Sequence, residues 1–123
     1  MEYGCAVAGA KVILVMGHTR CGAVNATVEQ VASGDNSGTE ALANLSSITA
    51  PIADCVHAEC QEHSCSASGD TEFVERITER NVRRSMADIL TGSRCLRQLV
   101  EDGKVLLAGA IYEVETGKVR MLD

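Results

Sequence analysis

The hydrophobic pattern changes character along the chain. Residues 11–16, KVILVM, form an apolar run without alternation that ends at Gly17. Such a run predicts a strand buried on both faces, as in a parallel sheet. Before it, residues 2–8 predict a short helix with Gly9 as its C-cap. After it, residues 17–22 turn the chain into a helix over about 21–32. Val24, Val28 and Val31 share one face of that helix, and Ser33 and Gly34 close it.

GDNSGT reads as a loop, and residues 40 to about 50 as a helix with Leu42, Leu45 and Ile48 facing inward. Pro51 either starts a new helix or kinks the old one, and helix continues over 51–62. SCSASGD is a second loop, with Asp70 as a candidate N-cap. Phe73, Val74, Ile77, Val82, Met86, Ile89 and Leu90 then recur at helical spacing until Gly92. A shorter helix spans 94–101 and ends at Gly103. Residues 104–114 predict a second strand, ETGK a turn, and 119–122 an antiparallel return.

This order predicts an α/β fold: three layers, a mainly parallel sheet flanked by helices, and a C-terminal β-hairpin, in one domain over 1–123. Parallel strands joined through helices cross over right-handedly. The sheet is thin for so many helices, so a further strand is expected on the N-terminal side.

Composition narrows the classes. Hydrophobic residues make up 46% and charged residues 23%, as in a soluble globular protein. Two Tyr and one Phe leave the core to Val, Leu, Ile, Ala and Cys. A net charge of -6 argues against a phosphate-backbone binder, so no nucleic acid is expected. Arg80, Arg83 and Arg84 alternate with acids and read as a solvated helix face. No apolar run approaches the ~18 residues of a bilayer span, so no direct membrane insertion is expected. The N-terminal stretch lacks the basic start of a signal peptide, which points to a cytoplasmic protein. In that setting six cysteines suggest buried thiols or metal ligands more than disulfides.

The chemistry concentrates in GHTRCG. His18 follows the carboxyl end of an apolar strand, where open parallel sheets bind ligands. Cys21 sits at the start of the next helix, where free N–H groups favour an anionic ligand. Gly17 and Gly22 bracket the turn and permit a tight path. One imidazole and one thiolate suit zinc; the alternative is a satisfied His and a buried Cys in a strand-to-helix turn.

EYGCAVAGAKVILVMGHTRCGAV resembles the zinc-binding segment of β-class carbonic anhydrases, in which a Glu-Tyr helix precedes an apolar strand ending in Gly-His-x-x-Cys-Gly. ERNVRRSMADILTGSRCLRQLVEDGKVLLAGAIYEVETGKVRML is similar to that family's long helix, its Ser-x-x-Leu helix and its Gly-x-Tyr-x-x-x-Thr-Gly-x-Val hairpin. The GCAVAGAK variant is most similar to the bacterial branch found alone or fused to SulP-type anion transporters. The resemblance implies Zn2+ as cofactor, with His18 and Cys21 as metal ligands. It further implies reversible hydration of carbon dioxide to bicarbonate by a zinc-bound hydroxide, and a homodimer or higher homo-oligomer.

The family's other zinc-binding Cys lies in a Cys-x-Asp-x-Arg motif after an earlier strand, and no residue of this chain matches it. The resemblance therefore implies a truncated fold with no assignable catalytic Asp–Arg pair, a half-filled zinc shell, and an apolar edge along residues 11–16. Relatives that hydrolyse carbon disulfide or carbonyl sulfide keep the same ligands. A non-catalytic zinc-binding or regulatory remnant associated with an anion transporter is the alternative.

CVHAECQEHSC packs Cys55, Cys60, Cys65, His57 and His63 into eleven residues. A second metal or redox site there competes with solvated His and half-buried Cys. Cys5 is expected to pack in the first helix and Cys95 in the core.

Overall fold

The computed structural model describes residues 1–35, 42, 44–67 and 69–123. Its elements are α1 (Glu2–Ala6), β1 (Val12–His18), α2 (Gly22–Ser33), α3 (Ser46–Glu62), α4 (Thr71–Gly92), α5 (Arg94–Glu101), β2 (Leu106–Tyr112) and β3 (Val119–Leu122). This is the expected α/β order of helix, strand, helices, strand and hairpin. The chain gathers into two compact units: Met1–Gly17 with Val82–Asp123, and His18–Asn81.

The first unit holds a three-stranded sheet in the order β1-β2-β3. The Leu106 N–H donates to the Lys11 carbonyl at 2.8 Å. That bond joins residues at the starts of the two strands, so they run alongside in the same direction. β3 returns antiparallel to β2, with Gly109 opposite Leu122 and Tyr112 opposite Val119. The turn between them closes through Glu113 N–H to Lys118 C=O and Gly117 N–H to Glu113 C=O, both 2.8 Å. Gly117 takes φ 73° there, a left-handed conformation that glycine adopts without a Cβ clash.

Cys5, Leu96 and Val105 are buried together, with Ile13, Ile89, Leu99 and Val100 packed around them. Burying one such aliphatic side chain stabilises the fold by roughly 1.5–3 kcal/mol. Ser93 caps α5 by accepting the Leu96 N–H at 3.1 Å. Near the middle of β2, a Cβ on Gly109 would stand 2.8 Å from Met86 Sδ and 3.1 Å from Val82 Cγ1. The close approach of α4 to the strand requires a glycine.

Three expectations are corrected here. β1 is not buried on both faces: exposed and half-buried positions alternate along it, and Val12, Leu14 and Met16 are 55%, 47% and 52% exposed. The strand is a sheet edge, and no described residue covers the face that carries those three. Cys95 is exposed rather than core, because Leu96 occupies the buried stripe of α5. The short helix ends at Val7, and Gly9 turns left-handed two residues later with φ 81°.

The second unit packs α2, α3 and the first half of α4. Val24, Val28, Ile52, Cys55, Val56, Phe73, Val74 and Ile77 form its core, with Cys21 and Cys60 against it. The buried hydroxyl of Thr27 donates to the Ala23 carbonyl at 2.7 Å and that of Thr78 to Val74 at 2.9 Å, so neither is orphaned. Gly34 ends α2 with φ 69° and its N–H on the Gln30 carbonyl. α3 runs through Pro51 as one helix from Ser46. The expected start at residue 40 lies outside the described residues. Leu42 and Ile48 are exposed rather than inward, at 56% and 55%, because the buried face of α3 is formed further on by Ile52, Cys55, Val56 and Glu59. Asp70 caps α4 as expected, accepting the Phe73 N–H at 3.1 Å. A hydrogen bond from Ser66, then that N–H, hold its carboxyl below the usual carboxylate range.

Candidate metal centre

β1 delivers His18 as its last residue, and Cys21 is the residue that starts α2 as its N-cap. Two residues separate them, and the chain reverses at Arg20, whose φ of 56° is left-handed. That conformation costs a non-glycine residue of order 1 kcal/mol. The glycines were expected to supply the tight path. Arg20 takes the strained position instead, and a Cβ at Gly22 would meet only open space.

The side chains suit a metal in different ways. The exposed His18 ring places Nδ1 3.0 Å from the Thr19 carbonyl. A carbonyl only accepts, so Nδ1 carries the hydrogen and Nε2 keeps its lone pair for a ligand. Cys21 is a half-buried thiol outside any disulfide, and its sulfur is not spent on capping α2. Its carbonyl carries the local polar load, accepting both the Asn25 N–H at 3.0 Å and the Asn25 side-chain amide at 2.9 Å. Nε2 and Sγ are thus donors left available by their surroundings. An imidazole nitrogen with a thiolate sulfur is a donor pair that fits zinc.

Among the described residues the only group of three or more metal-ligating side chains is Glu59, Glu62 and His63, whose ligand atoms lie within 4.8 Å of one another. It does not include His18 or Cys21. Its carboxylates are already neutralised. Glu59, with its side chain 3% exposed, accepts Arg76 Nε at 2.7 Å and Arg80 Nη2 at 3.0 Å, and Glu62 also pairs with Arg80. Burial alone would raise the Glu59 pKa. The hydrogen bonds from Arg76 and Arg80, with the charge of Arg80, outweigh it and hold the carboxyl below its ordinary range. Arg80 is therefore not a solvated helix charge as expected but the partner of a buried one. Arg83 donates to the Asp123 carbonyl at 2.7 Å, and Arg84 faces Asp88 at 3.6 Å.

The cysteine expectation also needs correction. Cys60 and Cys65 form a disulfide with their Cα atoms 4.5 Å apart. Cys60 closes the last turn of α3 and Cys65 follows just beyond it, so the returning chain brings the sulfurs together. A spacing of five residues across a helix end was the signal in the sequence. Cys55 is buried in the core of the second unit.

Comparison with known proteins gives the arrangement its context. The chain is 29% identical over 126 residues to a carbonic anhydrase of Pseudomonas aeruginosa, an alignment covering 100% of this chain and 51% of that protein. It is 22% identical to carbonic anhydrase 2 of Mycobacterium tuberculosis, covering 100% and 54%. Among solved structures it superposes on the β-carbonic anhydrase CafA of Aspergillus fumigatus with a TM-score of 0.79 at 24% identity, covering 99% of this chain and 53% of that one. A tetrameric β-carbonic anhydrase of Sordaria macrospora gives 0.76 at 21% identity, covering 98% and 56%. The chain thus spans about half the length of the relatives it matches. No helix among the described residues is long and apolar enough to cross a membrane. The carbonic anhydrase family profile matches residues 1–119, so nearly the whole chain belongs to the carbonic anhydrase family.

Proposed function

We propose that this chain carries part of a zinc centre that hydrates carbon dioxide reversibly to bicarbonate, with His18 Nε2 and Cys21 Sγ as two of the metal ligands. The observation that carries the proposal is the His18–Thr19 hydrogen bond, which leaves Nε2 as the donor three positions before a thiol outside any disulfide. The family match supports the reaction class. Zinc held there supplies Lewis-acid activation of water near pH ~7. The protein's own contribution is to fix the imidazole by its Nδ1 bond, to present the thiol at a helix start, and to set Cys21 against the apolar core of Val24 and Val28.

Two donors make a weak site, and structural or catalytic zinc takes three or four from protein. The remaining ligands lie outside the pair, and no residue of this chain matches Cys-x-Asp-x-Arg. The expected rate is zinc-dependent. The chain acts in the cytoplasm as a homodimer or higher homo-oligomer; the tetrameric relative and the uncovered apolar positions of β1 support association.

The test is stopped-flow carbon dioxide hydration by the zinc-loaded chain beside His18→Ala and Cys21→Ser. A rate that requires zinc and disappears in both variants supports the proposal. No rate in the zinc-loaded chain, or an unchanged rate in the variants, overturns it.

A further inference from the structure

We propose that the left-handed backbone of Arg20 positions the metal-binding histidine: it aims the Thr19 carbonyl at His18 Nδ1 and so selects the ring form that keeps its lone pair on Nε2. The inference deepens the zinc reading above and rests on it for the ligand, though not for the tautomer. Arg20, with φ 56°, is the one non-glycine residue with positive φ among the described residues. The other left-handed positions, Gly9, Gly34, Gly103 and Gly117, are all glycine. An arginine in this conformation is held there by its surroundings against its own preference.

The linkage is geometric. The φ of Arg20 is the rotation about its N–Cα bond, so it sets how the planar Thr19–Arg20 peptide, and with it the Thr19 carbonyl, is turned relative to the chain that follows. Positive φ at the third residue of a reversal such as His18–Cys21 is the type II pattern. The type I pattern carries a chain through a similar reversal with negative φ there and the central peptide turned over. Both ends of this turn are held. His18 is the last residue of β1, and the Cys21 carbonyl accepts the backbone N–H and the side-chain amide of Asn25. A change of sign at Arg20 therefore flips the central peptide and leaves its flanks in place. The flip withdraws the Thr19 carbonyl, which stands 3.0 Å from His18 Nδ1.

That carbonyl keeps the hydrogen on Nδ1. It only accepts, so the bond exists only while Nδ1 carries the hydrogen, and the lone pair of the neutral ring is then on Nε2. With the carbonyl withdrawn, nothing in the turn holds the hydrogen on Nδ1, and the ring is no longer set for ligation through Nε2. Groups that orient a metal-binding imidazole through its other nitrogen are worth about 10–100-fold in metal affinity. The Arg20 side chain is exposed, and the role assigned here lies in its backbone. A residue that accepts positive φ should therefore serve as well or better. A β-branched residue, which rarely adopts that conformation, should not.

Heteronuclear NMR of the imidazole nitrogens reads the tautomer directly in the metal-free full chain at about pH 8.5, above the ordinary imidazole range. The His18 signals are those missing from His18→Ala. Wild type, Arg20→Asn and Arg20→Gly should show Nδ1–H, and Arg20→Val should shift toward Nε2–H with the far-ultraviolet spectrum unchanged. Cobalt titration of the same chains gives the second readout. Arg20→Asn should bind Co2+ at least as tightly as wild type, with the same sulfur-to-cobalt charge-transfer band, and Arg20→Val about tenfold or more weakly. Retention of Nδ1–H, or of wild-type cobalt affinity, in Arg20→Val overturns the proposal. So does loss of Nδ1–H from both Arg20→Asn and Arg20→Gly, which assigns the effect to the guanidinium and decides the matter even where the valine chain fails to fold. Tautomers in the expected order with no cobalt–sulfur band in any chain, wild type included, leave the positioning role standing and overturn the zinc reading instead.

Discussion

His18 donates its Nδ1–H to the carbonyl of Thr19 at 3.0 Å, and that contact decides which nitrogen of the ring keeps its lone pair. A glutamine amide reaches about as far as Nε2 and an asparagine amide about as far as Nδ1. If Nε2 is the ligand, His18→Gln should keep measurably more zinc than His18→Asn, although both bind less than wild type. Competition with a chromophoric chelator measures the order. Equal retention, or the reverse order, would put the metal on the other nitrogen or elsewhere.

The edge strand supplies a second expectation. Val12, Leu14 and Met16 project from one side of β1, each about half exposed, along a strand that pairs on one edge only among the described residues. Long apolar edges pair with other chains unless charge interrupts them. Leu14→Lys with Met16→Lys should therefore move the chain toward monomer in sedimentation velocity, with the far-ultraviolet spectrum unchanged. An unaltered sedimentation profile would place the association surface elsewhere.

Much of this was legible in the sequence because its signals are local. The α5 bounds, the Asp70 cap, the ETGK turn and the antiparallel return of β3 each follow from a few residues whose preferences agree with their surroundings. The elements that were misread depend on what stands opposite them. An unbroken apolar run says that a strand belongs in a sheet, but only its neighbours decide whether both faces are covered, and among the described residues β1 has a strand neighbour on one edge alone. Cys95 and Ile48 look like core by residue type, yet helix phase turns them outward. Arg80 resembles any surface charge until the fold sets it over Glu59, 21 residues earlier. The His18 and Cys21 pair was visible by spacing, whereas the Nδ1 bond and the left-handed Arg20 are properties of the turn itself.

Gly109 tests the packing of α4 on β2. Gly109→Ala places a methyl carbon 2.8 Å from Met86 Sδ, which can swing away, and 3.1 Å from Val82 Cγ1, which is stiff. Overpacking of this kind costs about 1–3 kcal/mol, and Gly109→Val should cost more because its branches meet the same wall. Urea denaturation should give midpoints in the order wild type, Ala, Val. An alanine variant as stable as wild type would mean that the helix and strand separate more easily than this contact implies.

The buried carboxylate of Glu59 ties stability to acid. Its pKa is lowered in the folded chain because the hydrogen bonds of Arg76 and Arg80 exceed the cost of burial. A group with a depressed folded pKa contributes stability that is fully present above its unfolded value, about 4.3, and is lost as pH falls through the folded value. Between pH 6 and 8 that contribution should be flat, and below about pH 4.5 it should decline. Arg76 is 44% exposed and Arg80 29%, so solvent screens both partners, and Glu59→Gln should cost no more than about 1–2 kcal/mol at pH 7. The variant's decisive property is its slope: with no proton to gain at residue 59, it should lose less stability than wild type between pH 5 and pH 3. Parallel acid limbs for the two proteins in urea titrations would show that other carboxylates govern acid unfolding and that the Arg76 and Arg80 contacts leave Glu59 without net electrostatic gain.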